Sequence, residues 1–199
     1  MSIRSEVLEL AVLGVLHDQP LHGYELRKKL TTTLGSLRTF SYGSLYPALR
    51  SMTVAGLITA DQPTSAGQAS AVPPLAGKRS RIVYRLTADG KERFQALVSS
   101  ADPDAYDDDS FDVRMAFFGR TDASVRLRVL EGRRRRLEER VENLRASAGR
   151  TRERMDVYTL HLQKHGLELA EREVRWLSGL IDDERSHNES APPVNPDTS

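Results

Sequence analysis

Between Ser41 and Ile58 the chain reads SYGSLYPALRSMTVAGLI, and this stretch leaves few folds open. A helix that begins near Ser44 accommodates Pro47 in its first turn, where no backbone hydrogen bond is lost. Stepping around that helix from Leu45 brings Leu49 and Met52 within about 40° of it, with Ala48 beside them. Those four make a buried face. Gly43, Tyr46, Pro47 and Arg50 fall on the other side. Gly56 then stops the helix, and Leu57, Ile58 and Thr59 read as a short strand. An aromatic and cationic outer face, on a helix that turns at once into a strand, calls for a partner outside the core.

The flanking sequence supplies the rest of a domain. Val7, Leu8, Ala11, Val12, Val15 and Leu16 form a helical stripe that Pro20 ends. A second helix opens at His22 and Gly23, carries Tyr24, Leu26, Leu30 and Leu34 at its apolar positions, and stops at Gly35. After the third helix and its strand, residues 61–81 are small, polar and rich in Pro and Gly, which reads as a loop. RIVYRLT alternates as a second strand, and Thr87 caps a helix ending near Ser100. The order helix, helix, helix, strand, loop, strand, helix predicts a winged helix-turn-helix over residues 1–100.

Beyond it the pattern changes. Residues 101–120 read as an acidic linker and connecting segment, with Asp102, Asp104, Asp107, Asp108, Asp109 and Asp112. Residues 121–185 read as two long helices. The first, from about Asp122 to Ala148, carries Leu127, Leu130, Leu137, Val141 and Leu144. The second, from about Thr151 to Glu184, carries Met155, Tyr158, Leu162, Leu169, Trp176 and Leu180, with a parallel stripe at Leu160, Leu167, Val174, Leu177 and Ile181. Two helices alone cannot bury that much apolar surface, so a second subunit is expected to cover it. The tail, 186–199, is polar and expected to be disordered. The fold class expected is mainly α, a winged helix-turn-helix followed by a two-helix dimerisation domain.

Composition narrows the chemistry. The 199 residues include no Cys, which excludes disulfides, thiolate zinc sites and Cys nucleophiles. No apolar run is long enough to span a membrane, and the N-terminus lacks the apolar core of a signal peptide, so a cytoplasmic protein is expected. The aspartate cluster lacks the Gly and final Glu of a calcium loop. His161 and His165 have the spacing of a zinc helix but not its Glu base. Arg133 to Arg136, among Glu131, Glu138 and Glu139, reads as an ion-paired exposed face. No metal, no cofactor and no enzymatic activity are expected.

Three pieces of the chain resemble the PadR family of bacterial transcriptional regulators: LAVLGVLHDQPLHGYELRKKL, SYGSLYPALRSMTVAGLI and GKRSRIVYRLTADGKERF, in that order. The combination of HGYEL with GSLYPAL carries most of the specificity. The helix pair after residue 121 resembles the dimerisation domain of the family's longer members. Two departures stand out. Met52-Thr53-Val54-Ala55 replaces a Leu followed by acidic residues, and the loop from Asp61 to Ser80 is longer than usual.

The resemblance implies a homodimeric regulator, a repressor by family habit, that binds a palindromic operator in double-stranded DNA. It also implies a small aromatic effector, with Trp176 a candidate wall of its pocket and the dimer core the plainer role for that ring. The expected DNA-binding residues are Tyr24, Ser41, Tyr42, Ser44, Tyr46, Pro47, Arg50, Lys78, Arg79 and Arg81. Tyr46 projects outward and suits a phosphate or sugar contact. Tyr42 suits either DNA or packing on the second helix. Arg50 reaches a phosphate, a guanine edge or only water. Ser41 and Ser44 can cap the helix and meet a phosphate together. Tyr24 follows from the resemblance, with a partly buried role as the alternative, and Lys78, Arg79 and Arg81 would neutralise phosphates from the wing. A competing reading is a helical interaction module that keeps the fold without binding DNA.

Overall fold

The structure, a computed structural model, describes residues 3–35, 42–61, 82–151 and 156–190. The chain forms two compact units: Met1–Ser100 with Asp108–Arg120, and Ala101–Asp107 with Thr121–Ser199. The first contains helices α1 (Ile3–Leu16), α2 (Gly23–Leu34), α3 (Tyr42–Val54), α4 (Ala88–Ser99) and α5 (Phe111–Met115), and strands β1 (Leu21–His22), β2 (Ile58–Asp61) and β3 (Val83–Leu86). The second contains α6 (Ala123–Thr151) and α7 (Val157–Ser190).

Helix α1 is the centre of the first unit. The expected stripe is buried, and Leu10 and Leu13 are buried with it, because α2, α3, α4, α5 and β3 all pack around this helix. Each Val or Leu side chain among them contributes about 1.5–3 kcal/mol of burial. Glu9 lies within this surface and is satisfied by the Arg93 guanidinium at 2.6 Å.

The described strands form an antiparallel sheet in the order β1-β3-β2. Ile58 pairs with Leu86 and Asp61 with Val83. Strand β1 was not expected: two residues, Leu21 and His22, pair with Tyr84 and Val83, too short a run to show alternation. Helix α3 ends where Gly56 adopts φ 74°. The Gly56 N–H reaches the Thr53 carbonyl at 3.1 Å and that of Leu57 reaches Met52 at 3.0 Å, so these two carbonyls near the helix end are satisfied. Thr87 then ties strand to helix, accepting from Gly90 N–H at 3.0 Å while its hydroxyl lies 2.9 Å from the Leu57 carbonyl.

The start of α3 corrects the sequence expectation. The helix opens at Tyr42 rather than near Ser44, so Pro47 stands beyond the first turn. Its missing N–H deprives the Gly43 carbonyl of a helical partner. Gly43 and Pro47 are both exposed, so water can take that place.

Residues 108–120 belong to the first unit through buried Phe111, Val113 and Phe117. Phe117 stacks edge-on to Phe94 with ring centroids 5.7 Å apart and fills the space that Gly14 leaves open. Arg114 closes the end of α4, donating to the carbonyls of Leu97 at 2.6 Å and Ser100 at 3.0 Å.

In the second unit α6 and α7 run antiparallel over a seam of Val129, Leu130, Leu137 and Val141 against Ala170, Leu177 and Ile181. Arg133 is not on an exposed face as expected. It is buried, bonded to Glu173 at 2.9 Å and directed at the Tyr106 carbonyl at 3.5 Å. Arg134 and Arg136 do pair, with Glu138 and Asp107. The expected bounds of α7 also shift. Thr151 ends α6, and α7 begins after Asp156, whose carboxylate accepts from the N–H groups of Tyr158 and Thr159. The helix continues to Ser190, into the tail expected to be disordered, with Arg185 bonded to Glu131 at 2.6 Å and Ser186 to the Asp182 carbonyl at 2.9 Å.

Candidate nucleic-acid interface

Helix α3 separates its faces cleanly. Leu45, Leu49 and Met52 are buried, with Ala48 packed beside them. Gly43, Ser44, Tyr46, Pro47 and Arg50 are exposed on the other side. Tyr46 keeps 44% of its surface open, a large share for an aromatic side chain. Among the described residues none pairs with the Arg50 guanidinium.

Helix α2 begins beside this face. Its opening is fixed by Glu25, whose carboxylate accepts from the His22 N–H at 3.2 Å. Tyr24 is 68% exposed, which removes the partly buried alternative for it. Lys28 is exposed one turn further on and was not singled out from the sequence. Its i, i+4 spacing from Tyr24 was the available signal. The hydroxyls of Thr31 and Thr32, by contrast, are turned back onto the carbonyls of Arg27 and Lys28.

Tyr84 differs in burial from Tyr24 and Tyr46. Tyr84, on the middle strand, is buried, and that burial, reinforced by Tyr46, holds its phenol above the ordinary value. At the base of the wing Arg85 reaches diagonally across the strands to Asp61 at 2.9 Å, with both side chains more than half exposed. Ser41, Lys78, Arg79 and Arg81 lie outside the described residues, as does the Tyr42 side chain, although the Tyr42 backbone opens α3.

Trp176 stands on α7 in the second unit, 46% exposed. An open groove of about 340 Å³ between α6 and α7 is lined by Val141, Val174 and charged side chains that include Arg145 and Glu171, and Trp176 is not part of it. His161 and His165 are exposed on α7. Among the described residues no helix is long and apolar enough to cross a membrane.

The family model of the transcriptional regulator PadR-like family matches residues 12–96, which run from α1 through α4. No curated protein matches the chain. Among solved structures, Bacillus subtilis PadR in complex with operator DNA shares 20% identity, covers 89% of this chain and 99% of its own, and overlays with a TM-score of 0.40. The PadR-like transcriptional regulator BC1756 from Bacillus cereus shares 20% identity, with 90% and 99% covered and a TM-score of 0.39. The Bacillus subtilis protein in complex with p-coumaric acid shares 19%, again with 90% and 99% covered and a TM-score of 0.39. The matched residues include HGYEL at the start of α2 and GSLYPAL in α3. Through residues 12–96 the chain is similar to the transcriptional regulator PadR-like family.

Proposed function

We propose that the protein is a homodimeric, sequence-specific DNA-binding regulator that acts in the cytoplasm as a ligand-responsive repressor. The observation that carries this reading is the outer face of α3, where Tyr46 and Arg50 stand exposed while Leu45, Leu49 and Met52 anchor the helix from behind. A recognition helix needs that division: an apolar root to fix its angle and an outer face with donors for base edges and phosphates. Tyr24 and Lys28 extend the face onto α2, and the cations at Lys78, Arg79 and Arg81 would serve the wing.

Dimerisation is supported by α7. Tyr158, Leu162, Leu169 and Trp176 are exposed along it, and the last three recur every seventh residue. That is the seam of a helix with a helical partner. A second copy would cover it and set the spacing of two recognition helices, so that half-sites lie about one helical turn, or a multiple, apart. An aromatic effector that inserts beside Trp176 would act by favouring a dimer whose heads no longer fit that spacing.

The test is binding of the purified protein to DNA upstream of its own gene, against random duplex, across a salt series. Preference for the upstream DNA, a steep fall with salt, and loss of both in the Tyr46→Ala, Arg50→Ala double variant are expected. Absence of binding to either duplex at low salt would remove the reading and favour the interaction module.

A further inference from the structure

We propose that Tyr84 is a positioning residue for Tyr46, and that Tyr84 and Gly23 together form a seat that fixes the outward tyrosine before DNA arrives. The inference rests on the DNA-binding reading given above and names a part of the interface that lies behind the contact surface.

Three elements converge on one point. A Cβ placed on Gly23, the first residue of α2, would lie 3.3 Å from the Tyr46 hydroxyl oxygen, 3.5 Å from Tyr46 Cε1 and 3.6 Å from Tyr84 Cε2. The edge of the Tyr46 ring and the edge of the Tyr84 ring therefore share the space that the missing side chain leaves. Tyr84 belongs to β3, the middle strand, where it pairs with Leu21 on one side and Ala60 on the other, and it is 7% exposed. Tyr46 belongs to α3 and is 44% exposed. One ring is rooted in the core and the other is half in water, and both edges lie against the start of α2.

This arrangement has a physical consequence for recognition. An exposed tyrosine on a helix samples several side-chain rotamers. Holding one of them at the moment of binding costs roughly 0.5–1.5 kcal/mol per immobilised side chain. A ring wedged at its far edge has already lost that freedom in the folded protein. Gly23 bears on the same contact. A Cβ there would meet the Tyr46 hydroxyl at a separation tighter than ordinary packing, so the Tyr46 ring would have to give by a few tenths of an ångström. The seat thus accounts for two residues, the Gly of HGYEL and the Tyr of RIVYRLT, that contribute no DNA-facing group of their own.

A core tyrosine with no such role makes a different prediction, and a mutant cycle separates the two. The variants are Tyr84→Leu, which removes the aromatic edge beside Tyr46 and keeps an apolar side chain at this buried position, and Gly23→Ala, each made alone and together with Tyr46→Ala. Affinity is measured for the DNA upstream of the protein's own gene. In the presence of Tyr46, Tyr84→Leu and Gly23→Ala are each expected to weaken binding about three- to tenfold, and in the Tyr46→Ala background by less than about twofold. Ring-labelled tyrosine NMR on the free protein supplies a readout independent of DNA. The Tyr46 ring signals, assigned by their absence from Tyr46→Ala, are expected to shift in both variants. Equal weakening with and without Tyr46, or unmoved Tyr46 signals, would overturn the seat. If Tyr46→Ala itself leaves DNA binding unchanged, the α3 reading head fails, while the NMR arm still decides whether Tyr84 holds Tyr46.

Discussion

Glu9 and Arg93 meet at 2.6 Å, a carboxylate almost wholly buried on α1 and a guanidinium on α4 that also reaches Glu6 at 3.2 Å. The bond to Glu9 is the largest influence holding Arg93 above its ordinary value, against the opposing effect of its burial. This pair fixes α4, and with it the strand before α4, against the central helix. Glu9→Ala should cost about 1–2 kcal/mol, less than for a fully buried pair because Arg93 is partly open to water. Replacing both residues by Met should recover most of the loss. Urea unfolding of the four proteins checks this, and a Glu9→Ala variant as stable as the parent would show that the pair contributes nothing.

Gly90 offers a sharper contrast. A Cβ there would overlap the Leu57 carbonyl oxygen, which cannot yield because the Thr87 N–H holds it at 3.2 Å and the Thr87 hydroxyl at 2.9 Å. Gly90→Ala should therefore destabilise the first unit by about 2–3 kcal/mol, as overpacking against backbone does. The same substitution at Gly119, where nothing lies within 4 Å, should change stability by no more than about 0.5 kcal/mol. Thermal melts of the two variants should separate clearly, and equal effects would mean that the close approach at Gly90 is relieved without cost.

The sequence was most legible where a residue type had one physical use. Gly56 and Gly35 were read as helix stops, and both have positive φ. Thr87 was read as a cap and accepts the Gly90 N–H. The faces of α3 followed from the spacing of Leu45, Leu49 and Met52, because a single apolar root decides which side is out. Legibility failed where tertiary contacts decide. Residues 101–120 read as an acidic linker and connecting segment, yet Phe111, Val113, Phe117 and the Arg114 bonds to the end of α4 tie residues 108–120 to the first unit. Arg133 looked like the other arginines of its run, and only the approach of Glu173 and Tyr106 makes it different. The role of Gly23 depends on rings 23 and 61 residues further along the chain, and no local pattern announces it.

Acid should loosen the corner between α1 and α2. Asp18 accepts from Lys29 at 3.2 Å and pairs with Arg120, and these partners, Lys29 first, hold its carboxyl below the ordinary value of 3.8. A depressed folded value means that the stabilisation is complete above the unfolded value and is lost as pH falls through the folded one. Asp18→Asn should therefore lower the melting temperature at pH 6 to 7, and the two proteins should converge as pH drops below the carboxylate range. A difference that persists unchanged at pH 2 would assign the effect to something other than the charge.

The apolar side of α7 gives a prediction about assembly. Leu162 is 71% exposed and Leu169 46%, with Tyr158 and Trp176 on the same stretch of surface. Leu162→Glu with Leu169→Glu leaves the seam to α6 intact, because Ala170, Leu177 and Ile181 hold that side. Two carboxylates placed in a covered apolar interface carry a large desolvation cost. Sedimentation should show a dimer for the parent and a monomer for the double variant, with helical content unchanged by circular dichroism. A monomeric parent would remove the dimer from the proposed function.

Arg50 can be assigned to a phosphate or to a base by the shape of its loss. Its guanidinium is exposed on the outer face of α3, one turn beyond Tyr46, and either partner is within the chemistry of the group. A phosphate contact is read by the salt series: Arg50→Ala would reduce the slope of log affinity against log salt by about one and weaken upstream and random DNA alike. A guanine contact is read by sequence: the variant would lose about 1–3 kcal/mol on the upstream DNA and much less on random duplex, with the preference relaxed at one position in each half-site. The open position of Arg50, together with the fixed root of α3, favours the second outcome. Uniform weakening with a reduced salt slope would transfer the residue to the backbone contacts and leave Tyr46 as the side chain to test for base recognition.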